Sequence, residues 1–189
     1  NSYKTIKSRY HDFKDDRRGF FIFMDDSIKK WFRKSKIVRP DNRPLIMYHG
    51  TENDFEAFDR TKIGISSGNL GFLGKGFYFT KDLWRARAYG DVIYAYLRIE
   101  APFIINGSLD EDTANIINEV SGTYAFEEGM DYTAVYNGFS HSVPEYPEIA
   151  ESITSGLQYY GYDGIIYGDF QEVVCFEPKQ IFIIKKEAR

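Results

Sequence analysis

Residues 74–90, with the sequence GKGFYFTKDLWRARAYG, predict a strand followed directly by a short helix. The first half is aromatic and therefore prone to form a strand. Thr80 or Asp82 can accept hydrogen bonds from the free N–H groups that open a helix. This interpretation puts Tyr78 on the strand and Tyr89 at the end of the helix. Two aromatic rings therefore flank one groove in the predicted structure.

A pair of rings held in this way can bind a flat ligand ring between their faces. A positively charged ring gains most, because the faces of tyrosine rings are rich in electrons. The same stretch also fits two tyrosines of an ordinary hydrophobic core. Both interpretations of Tyr78 and Tyr89 stay open at this point.

The composition bounds the protein without choosing a function. The chain has 189 residues, of which 43% are hydrophobic, enough to bury the core of one domain. The net charge of −4 argues against a general nucleic-acid binder. Cys175 is the only cysteine, which excludes an internal disulfide and argues against a cysteine-based zinc site, so no metal is predicted. No apolar run approaches the roughly 20 residues needed to cross a bilayer.

The N-terminal part of the chain has the pattern of an appendage to the fold. Its first residues are charged and mixed, as in a solvated helix or arm. Ile28, Trp31 and Phe32 then fall at helical spacing and make one apolar face. We therefore expect an N-terminal arm or helical extension over residues 1–27 and the main domain over residues 28–189.

A second candidate region follows a short strand predicted over residues 45–48, which delivers His49, Gly50 and Thr51 at its end. A histidine in that position is exposed enough to touch a ligand and fixed enough to orient it. Gly50 lets a ligand approach the backbone, where one N–H and one C=O can pair with an amide. A lone histidine is more often structural, and that alternative stays open.

Glu172 is the third candidate, because it begins a strand predicted over residues 171–176 that is otherwise apolar. A carboxylate at the open end of such a strand lies in apolar surroundings unless it faces a cleft. A plain surface glutamate fits the pattern equally well.

The remaining chain alternates between strands and helices. Helices are predicted over residues 110–120 and 147–160. Residues 61–76 form a glycine-rich loop that lacks the ending of a P-loop. Residues 121–145 show no clear period and are interpreted as a long loop. Further strands are predicted over residues 92–99, 103–105, 164–167 and 181–185.

Three separated blocks, taken together, resemble the His-Tyr-Glu class of ADP-ribosyltransferases, which includes the poly(ADP-ribose) polymerases and the diphtheria-toxin group. The blocks are YHGT at residues 48–51, GKGFYF at residues 74–79 and QEVVCF at residues 171–176. Tyr89 lies eleven positions after Tyr78 (89 − 78), where the polymerase family keeps its second nicotinamide-stacking tyrosine. The resemblance implies an α+β protein with the ADP-ribosyltransferase fold, in which split antiparallel β-sheets are flanked by helices.

A narrower resemblance is to the ADP-ribosyltransferase domains found in polyvalent proteins of phages and other mobile elements. It covers most of residues 28–185 and is weakest over about 106–158, which we interpret as an insertion in the catalytic domain. The segments that carry it are WF at 31–32, SKIV at 35–38, PLIMYHGT at 44–51, GYDGII at 161–166 and FEPKQI at 176–181.

The resemblance implies how NAD would be bound. His49 would hydrogen-bond a ribose hydroxyl, Gly50 would hold the nicotinamide carboxamide through its backbone, and Thr51 would reach the adenosine-side ribose. Tyr78 and Tyr89 would sandwich the positively charged nicotinamide ring. No metal is implied.

The catalytic residues implied by the resemblance are His49, Tyr78 and Glu172. Glu172 would hydrogen-bond the 2′-OH of the nicotinamide ribose and stabilise the oxocarbenium-like sugar as the glycosidic bond breaks. The polymerase family has a serine that helps bind the carboxamide, and Ala86 stands at the aligned position, so that hydrogen bond should be missing. The residue before the glutamate is Gln171, whose role the resemblance does not define.

The implied function is an NAD-dependent ADP-ribosyltransferase that transfers single ADP-ribose units to a macromolecule, a protein rather than a nucleic acid. An NAD glycohydrolase, with water as the acceptor, is one alternative. A non-catalytic module that binds NAD or ADP-ribose is the other, and the intact histidine, tyrosine and glutamate weigh against it.

The resemblance also implies a toxin or effector role. The expected place of action is the cytoplasm of the producing or target cell, reached by phage delivery or secretion. Residues 61–73 and 121–145 are where we expect the acceptor to be chosen.

Overall fold

The computed structural model describes residues 26–65 and 70–189. The chain divides into two units, with the boundary between Arg33 and Lys34. In the first unit, the predicted apolar helix is present as α1 (Asp26–Phe32). The rest of the predicted N-terminal arm lies outside the described residues, and the boundary proposed for it stays a prediction.

The second unit contains seven strands and four α-helices among its described residues. Its strands are β1 (Met47–Thr51), β2 (Phe77–Phe79), β3 (Asp91–Leu97), β4 (Pro102–Ile105), β5 (Gly164–Tyr167), β6 (Glu172–Cys175) and β7 (Ile181–Glu187). Its helices are α2 (Leu83–Arg87), α3 (Glu111–Ser121), α4 (Thr133–Glu145) and α5 (Glu148–Tyr159), with short 3₁₀ turns at Arg60–Lys62 and Pro178–Gln180.

These strands form two sheets, with the order β1-β3-β7 in one and β2-β6-β5-β4 in the other. Neighbouring strands are antiparallel, apart from the parallel pair β4 and β5. The predicted α+β class, with split and mostly antiparallel sheets flanked by helices, is confirmed.

Strands β1 and β2 belong to different sheets but are joined at one point. Tyr48 and Thr80 exchange two backbone hydrogen bonds, of 2.8 and 2.9 Å, as an isolated bridge. A continued antiparallel ladder would next pair Gly50 with Tyr78. Instead, the carbonyl oxygen of Tyr78 accepts a hydrogen bond of 2.7 Å from Nδ1 of His49. The imidazole thus takes the place of a backbone donor, and the two sheets open into a cleft here.

Two hydrophobic clusters lie on opposite faces of the four-stranded sheet. Ile166 and Val173 belong to the cluster shared with β1 and β3, whereas Ile165 and Val174 belong to the cluster shared with α3, α4 and α5. Because side chains alternate along a strand, β5 and β6 can be apolar at every position when both faces are buried. Glu172, the first residue of β6, is the exception that needs a functional or structural reason.

The helices predicted over residues 110–120 and 147–160 are present as α3 and α5. The side chain of Asp110 caps α3 by accepting a hydrogen bond of 2.7 Å from the N–H of Thr113. Pro147 stands one position before the first residue of α5. Among the described residues, no helix is both long enough and apolar enough to cross a membrane.

The prediction that residues 121–145 form a long loop is wrong, because half of this segment is helix α4. Gly138 and Pro144 lie within the helix and hide its period in the sequence, but Pro144 stands only one residue before the helix end, so the single backbone hydrogen bond that it removes belongs to the last turn. The face of α4 that joins the hydrophobic cluster has an apolar residue at every fourth position: Val135, Phe139 and Val143.

Candidate active site

The opening between the two sheets forms a cleft with a volume of about 840 Å³, a size typical of small-molecule sites. Its wall combines β1, β2, the first residue of β6, helix α2 and one side chain of α4. The residues singled out from the sequence all contribute to this wall: His49, Gly50, Thr51, Tyr78, Tyr89 and Glu172. The structure therefore brings together three blocks that are far apart in the chain.

His49 lies in the middle of β1, although the sequence predicted it at the end of a strand. Its Nδ1 faces the carbonyl oxygen of Tyr78, and because a carbonyl can only accept, Nδ1 carries the hydrogen. Burial lowers the pKa of His49, so the ring is neutral at pH 7 and Nε2 carries a lone pair. The ring packs against Phe58 and Phe79, with centroid distances of 5.1 and 5.4 Å. His49 is therefore a fixed hydrogen-bond acceptor.

Gly50 presents its backbone N–H and C=O groups to the cleft. Backbone groups of successive strand residues turn to opposite sides, and those of Tyr48 bond to Thr80 on the β2 side. Gly50, two residues further on, turns its N–H and C=O to the same side as Tyr48, which here is the opening between the sheets. The missing side chain also has a packing reason, because a Cβ on Gly50 would lie 1.9 Å from the carbonyl oxygen of Ala86 in α2.

Tyr78 is half-buried, and both roles of its hydroxyl are used. The hydroxyl accepts from the N–H of Leu73 at 3.0 Å and donates to the carbonyl of Gly74 at 2.6 Å. Burial raises the pKa of Tyr78 well above its usual value, so the phenol is neutral. Gly71 approaches the ring so closely that a Cβ there would lie 2.2 Å from the hydroxyl oxygen. The loop over residues 70–74 thus fixes the position of the ring.

Helix α2 begins as predicted, with the side chain of Asp82 accepting from the N–H groups of Trp84 and Arg85 at 2.9 and 3.3 Å. Tyr89 follows two residues after the end of α2 and is 63% exposed. An exposed aromatic ring in the wall of a cleft is available for stacking on a ligand. Tyr78 and Tyr89 therefore both line the cleft, one fixed by a loop and one open to solvent.

Thr51 ends β1 and is buried at the cleft wall. Its hydroxyl accepts a hydrogen bond of 3.0 Å from the N–H of Asn53, which holds the turn after the strand. Its carbonyl oxygen lies against Gly90, where a Cβ would come within 2.5 Å. Close packing therefore requires glycine both at Gly50, which lies against α2, and at Gly90, which lies against the end of β1.

Glu172 begins β6, as predicted, and its side chain is only 11% exposed. Its Oε1 accepts a hydrogen bond from the guanidinium of Arg85 in α2, and Tyr136 of α4 lines the cleft beside it. Burial raises the pKa of Glu172, while Arg85 and Tyr136 oppose that rise. Of the carboxylates in the described wall of the cleft, this one alone is buried.

Sequence reasoning missed Arg85 and Tyr136. Arg85 lies about one helical turn before Tyr89, so the predicted helix already placed it near the groove, and that spacing was the available signal. Tyr136 gave no signal, because its segment was interpreted as a loop.

The cleft offers a specific set of interactions to a ligand. Neutral His49 can accept from a hydroxyl, the backbone of Gly50 can pair with an amide, and the tyrosine rings can stack on a flat ring. The negative charge of Glu172, buried and held in place, can stabilise positive charge that develops on a sugar. The site therefore suits a nucleotide whose base carries an amide.

The α+β fold and this cleft define a protein of the ADP-ribosyltransferase class. Comparison with known protein families matches residues 41–188 to the family described as ADP-ribosyltransferase in polyvalent proteins. The chain belongs to this family. The predicted resemblance to the ADP-ribosyltransferase domains of polyvalent proteins is thereby confirmed.

Among solved structures, one that resembles the chain is described as "Crystal structure of an anti-CRISPR protein". It is 12% identical, the alignment covers 74% of this chain and 95% of that chain, and the TM-score is 0.40. A likeness of this degree carries no argument about function. No curated protein matches the chain.

Proposed function

We propose that this protein is an NAD-dependent ADP-ribosyltransferase that breaks the bond between nicotinamide and ribose and transfers one ADP-ribose unit to a macromolecular acceptor. The position of Glu172 carries the proposal. It is a buried carboxylate in a cleft that also contains His49 and Tyr78, in a chain of an ADP-ribosyltransferase family. The role of each residue follows from the groups that it presents.

The nicotinamide ribose is held by His49. Nδ1 of the ring is committed to the carbonyl of Tyr78, so Nε2 faces the ligand as an acceptor for a ribose hydroxyl. The ring keeps this protonation state through the neutral range, because burial lowers its pKa. The carboxamide pairs with the backbone of Gly50, whose N–H and C=O turn toward the cleft.

The nicotinamide ring lies between Tyr78 and Tyr89. The bound ring is cationic, and it is attracted to the electron-rich faces of the two tyrosines. Tyr78 has a fixed place because its hydroxyl is bonded to the loop over residues 70–74, while exposed Tyr89 closes on the other face. Thr51 contacts the adenosine-side ribose at the end of β1.

The reaction begins when the bond between nicotinamide nitrogen and the anomeric carbon breaks. The electron pair of that bond leaves with the nicotinamide, which departs as a neutral molecule, and the sugar gains oxocarbenium character. The carboxylate of Glu172 hydrogen-bonds the ribose 2′-OH and stabilises the positive charge. The acceptor nucleophile then attacks the anomeric carbon, and its proton passes to Glu172 or to solvent.

Arg85 keeps Glu172 ready for this step. A buried carboxyl tends to protonate, since burial disfavours the charged form, and the guanidinium of Arg85 opposes this tendency. Ala86, which replaces the serine of the polymerase family, offers no side-chain hydrogen bond to the carboxamide. Its carbonyl lies against Gly50 instead, so the backbone alone orients the carboxamide.

The acceptor that we propose is a protein, because the net charge of −4 disfavours a polyanionic nucleic acid. The transfer is single, since no feature in the described wall of the cleft is dedicated to elongating a polymer. The reaction takes place in the cytoplasm of the producing or target cell, where NAD is available.

The test measures nicotinamide release from NAD, with and without a cell lysate, for the wild type and for Glu172→Gln. A biotin-labelled NAD reports transfer to macromolecules in the same samples. Glu177→Gln is the matched control, because Glu177 is also partly buried and paired with an arginine, Arg60, but lies outside the cleft wall.

If the protein is a transferase, the wild type and Glu177→Gln should both release nicotinamide and label a macromolecule. Glu172→Gln should do neither. Release of free ADP-ribose with no labelled partner would instead identify an NAD glycohydrolase. NAD binding without any release from the wild type would refute catalysis and leave a binding module.

A further inference from the structure

Helix α4 brings a tyrosine into the cleft from a segment that was expected to be a loop. Tyr136 lines the cleft together with Glu172, and its hydroxyl opposes the rise that burial causes in the pKa of the Glu172 carboxyl. This hydroxyl is thus supplied by a part of the chain outside the three sequence blocks that resemble the ADP-ribosyltransferases.

The ring of Tyr136 is fixed by aromatic neighbours on two sides. It meets Phe72 edge-on at a centroid distance of 5.5 Å, and it lies 5.5 Å from the ring of Tyr167. Tyr167 is the cross-strand partner of Glu172, where β5 pairs with β6. These contacts place the ring of Tyr136 beside the strand pair that carries Glu172.

Four elements place ionisable side chains around Glu172. Helix α2 contributes Arg85, which is the cation, and tyrosines come from β2, β5 and α4. Burial raises the pKa of Tyr136 and Tyr167 to about 12 and that of Tyr78 well above its usual value. Tyr89 also faces Tyr136. At neutral pH the buried tyrosines are uncharged, and Arg85 provides the positive charge facing Glu172.

Arg85 alone is a weak means of fixing a carboxylate. Its side chain is 40% exposed and has several rotatable bonds, and its contact is with Oε1 of Glu172. An arginine that contacts one carboxylate oxygen still allows the carboxylate to rotate about the bond that joins it to the side chain. A second donor on a rigid ring restricts this rotation. Such restriction matters most in the transition state, where the carboxylate must meet the ribose.

We propose that Tyr136 is a positioning residue for the transferase reaction, whose hydroxyl holds the Glu172 carboxylate ionised and aimed at the nicotinamide ribose while Arg85 holds the other side. This inference rests on the proposed function. It makes α4 a part of the catalytic cleft rather than a peripheral insertion.

Tyr136→Phe tests the proposal, because it removes the hydroxyl and keeps the ring that packs against Phe72 and Tyr167. Tyr132→Phe is the matched control. Tyr132 lies at the start of the same helix and its ring contacts Tyr167 at 5.0 Å, but its hydroxyl accepts from the side-chain amide of Gln171 and not from the carboxylate site.

Nicotinamide release is measured as a function of pH for both variants. With Tyr136→Phe, the acid limb of the kcat profile should move up by about one pH unit, and kcat at its plateau should fall about tenfold. The KM for NAD should stay within about twofold, since Tyr136 acts through Glu172 and not on the bound nucleotide. Tyr132→Phe should keep the wild-type profile.

The pKa of the Glu172 carboxyl is measured separately by ¹³C NMR, with the resonance assigned by its loss in Glu172→Gln. Tyr136→Phe should raise this pKa, whether or not the enzyme turns over. An unchanged carboxyl pKa and an unchanged acid limb in an active enzyme would overturn the positioning role alone. A wild type that releases no nicotinamide would overturn the proposed function, and this inference with it.

Discussion

The substitution Gly50→Ala tests whether close packing of helix α2 on strand β1 builds the cleft. The new Cβ would lie 1.9 Å from the carbonyl oxygen of Ala86 and 2.9 Å from Cβ of Tyr89. An ordinary contact begins at 3.4 Å. The two backbones must therefore separate by about 1.5 Å, the difference between 3.4 and 1.9 Å. The closest contact joins the Cβ, whose position the backbone fixes, to a backbone carbonyl oxygen, so no side-chain rotation can relieve it.

This separation moves two functional side chains at once. Helix α2 carries Arg85 toward Glu172, and it leads directly to Tyr89 in the cleft wall. A displacement of about 1 Å is enough to cost about 100-fold in rate when the reacting groups must be aligned. Forcing one extra methyl group into a packed site costs about 1–3 kcal/mol in unfolding free energy. We expect kcat/KM for nicotinamide release to fall by about 100-fold.

The assay combines nicotinamide release with urea unfolding, so that lost activity can be separated from lost structure. Gly107→Ala is the control, because the backbone of Gly107 disfavours alanine, with φ of +65°, whereas a Cβ there would meet no atom within 4 Å. It should lose a comparable part of its stability and keep its activity. If Gly50→Ala keeps wild-type kcat/KM and stability, the argument that α2 must approach β1 this closely is refuted.

Three further changes have expected outcomes. Tyr89→Ala should weaken NAD binding about tenfold in titration calorimetry, and Tyr89→Phe should not, because the ring face and not the hydroxyl provides the stacking. Glu172→Gln should melt at or above the wild-type temperature at pH 7. Burial raises the folded-state pKa of Glu172 above its usual 4.5, so the folded state binds the proton more tightly and stability is lost as the pH rises through that pKa. The difference should shrink near pH 4, and a wild type that is more stable than the variant at pH 7 would contradict this sign. His49→Ala should lower the unfolding free energy by about 2 kcal/mol in urea, because it leaves the carbonyl of Tyr78 without its donor; an unchanged midpoint would show that the imidazole does not hold the opening of the sheets.

The parts of the site that depend on local rules could be predicted from the sequence. The stretch over residues 74–90 forms a strand, a capped helix start and an exposed tyrosine, and the cap uses Asp82 as expected. Glu172 stands at the open end of β6, and the other residues of this strand are apolar because both of its faces are buried. In each case the deciding interactions lie within a few residues of one another, where composition and spacing carry the information.

The remaining parts depend on contacts between distant segments. Arg85 and Glu172 are 87 positions apart, and their pairing exists only because α2 packs on β1 while β6 pairs with β2. The position of His49 inside a strand follows from its pairing with β3 rather than from its own neighbours in sequence. Helix α4 was missed for a different reason. Gly138 and Pro144 interrupt the helical pattern of its sequence, and only the residues of its buried face keep the spacing of a helix.

Helix α4 connects the hydrophobic core to the cleft. Residues 106–158 resemble the family blocks least, yet their helices contribute to one of the two hydrophobic clusters on the four-stranded sheet, and α4 places Tyr136 in the cleft wall with Glu172. A change in the packing of this helix would therefore also move a side chain of the cleft. For this reason the sheet constrains the buried side of α4 more than its exposed side.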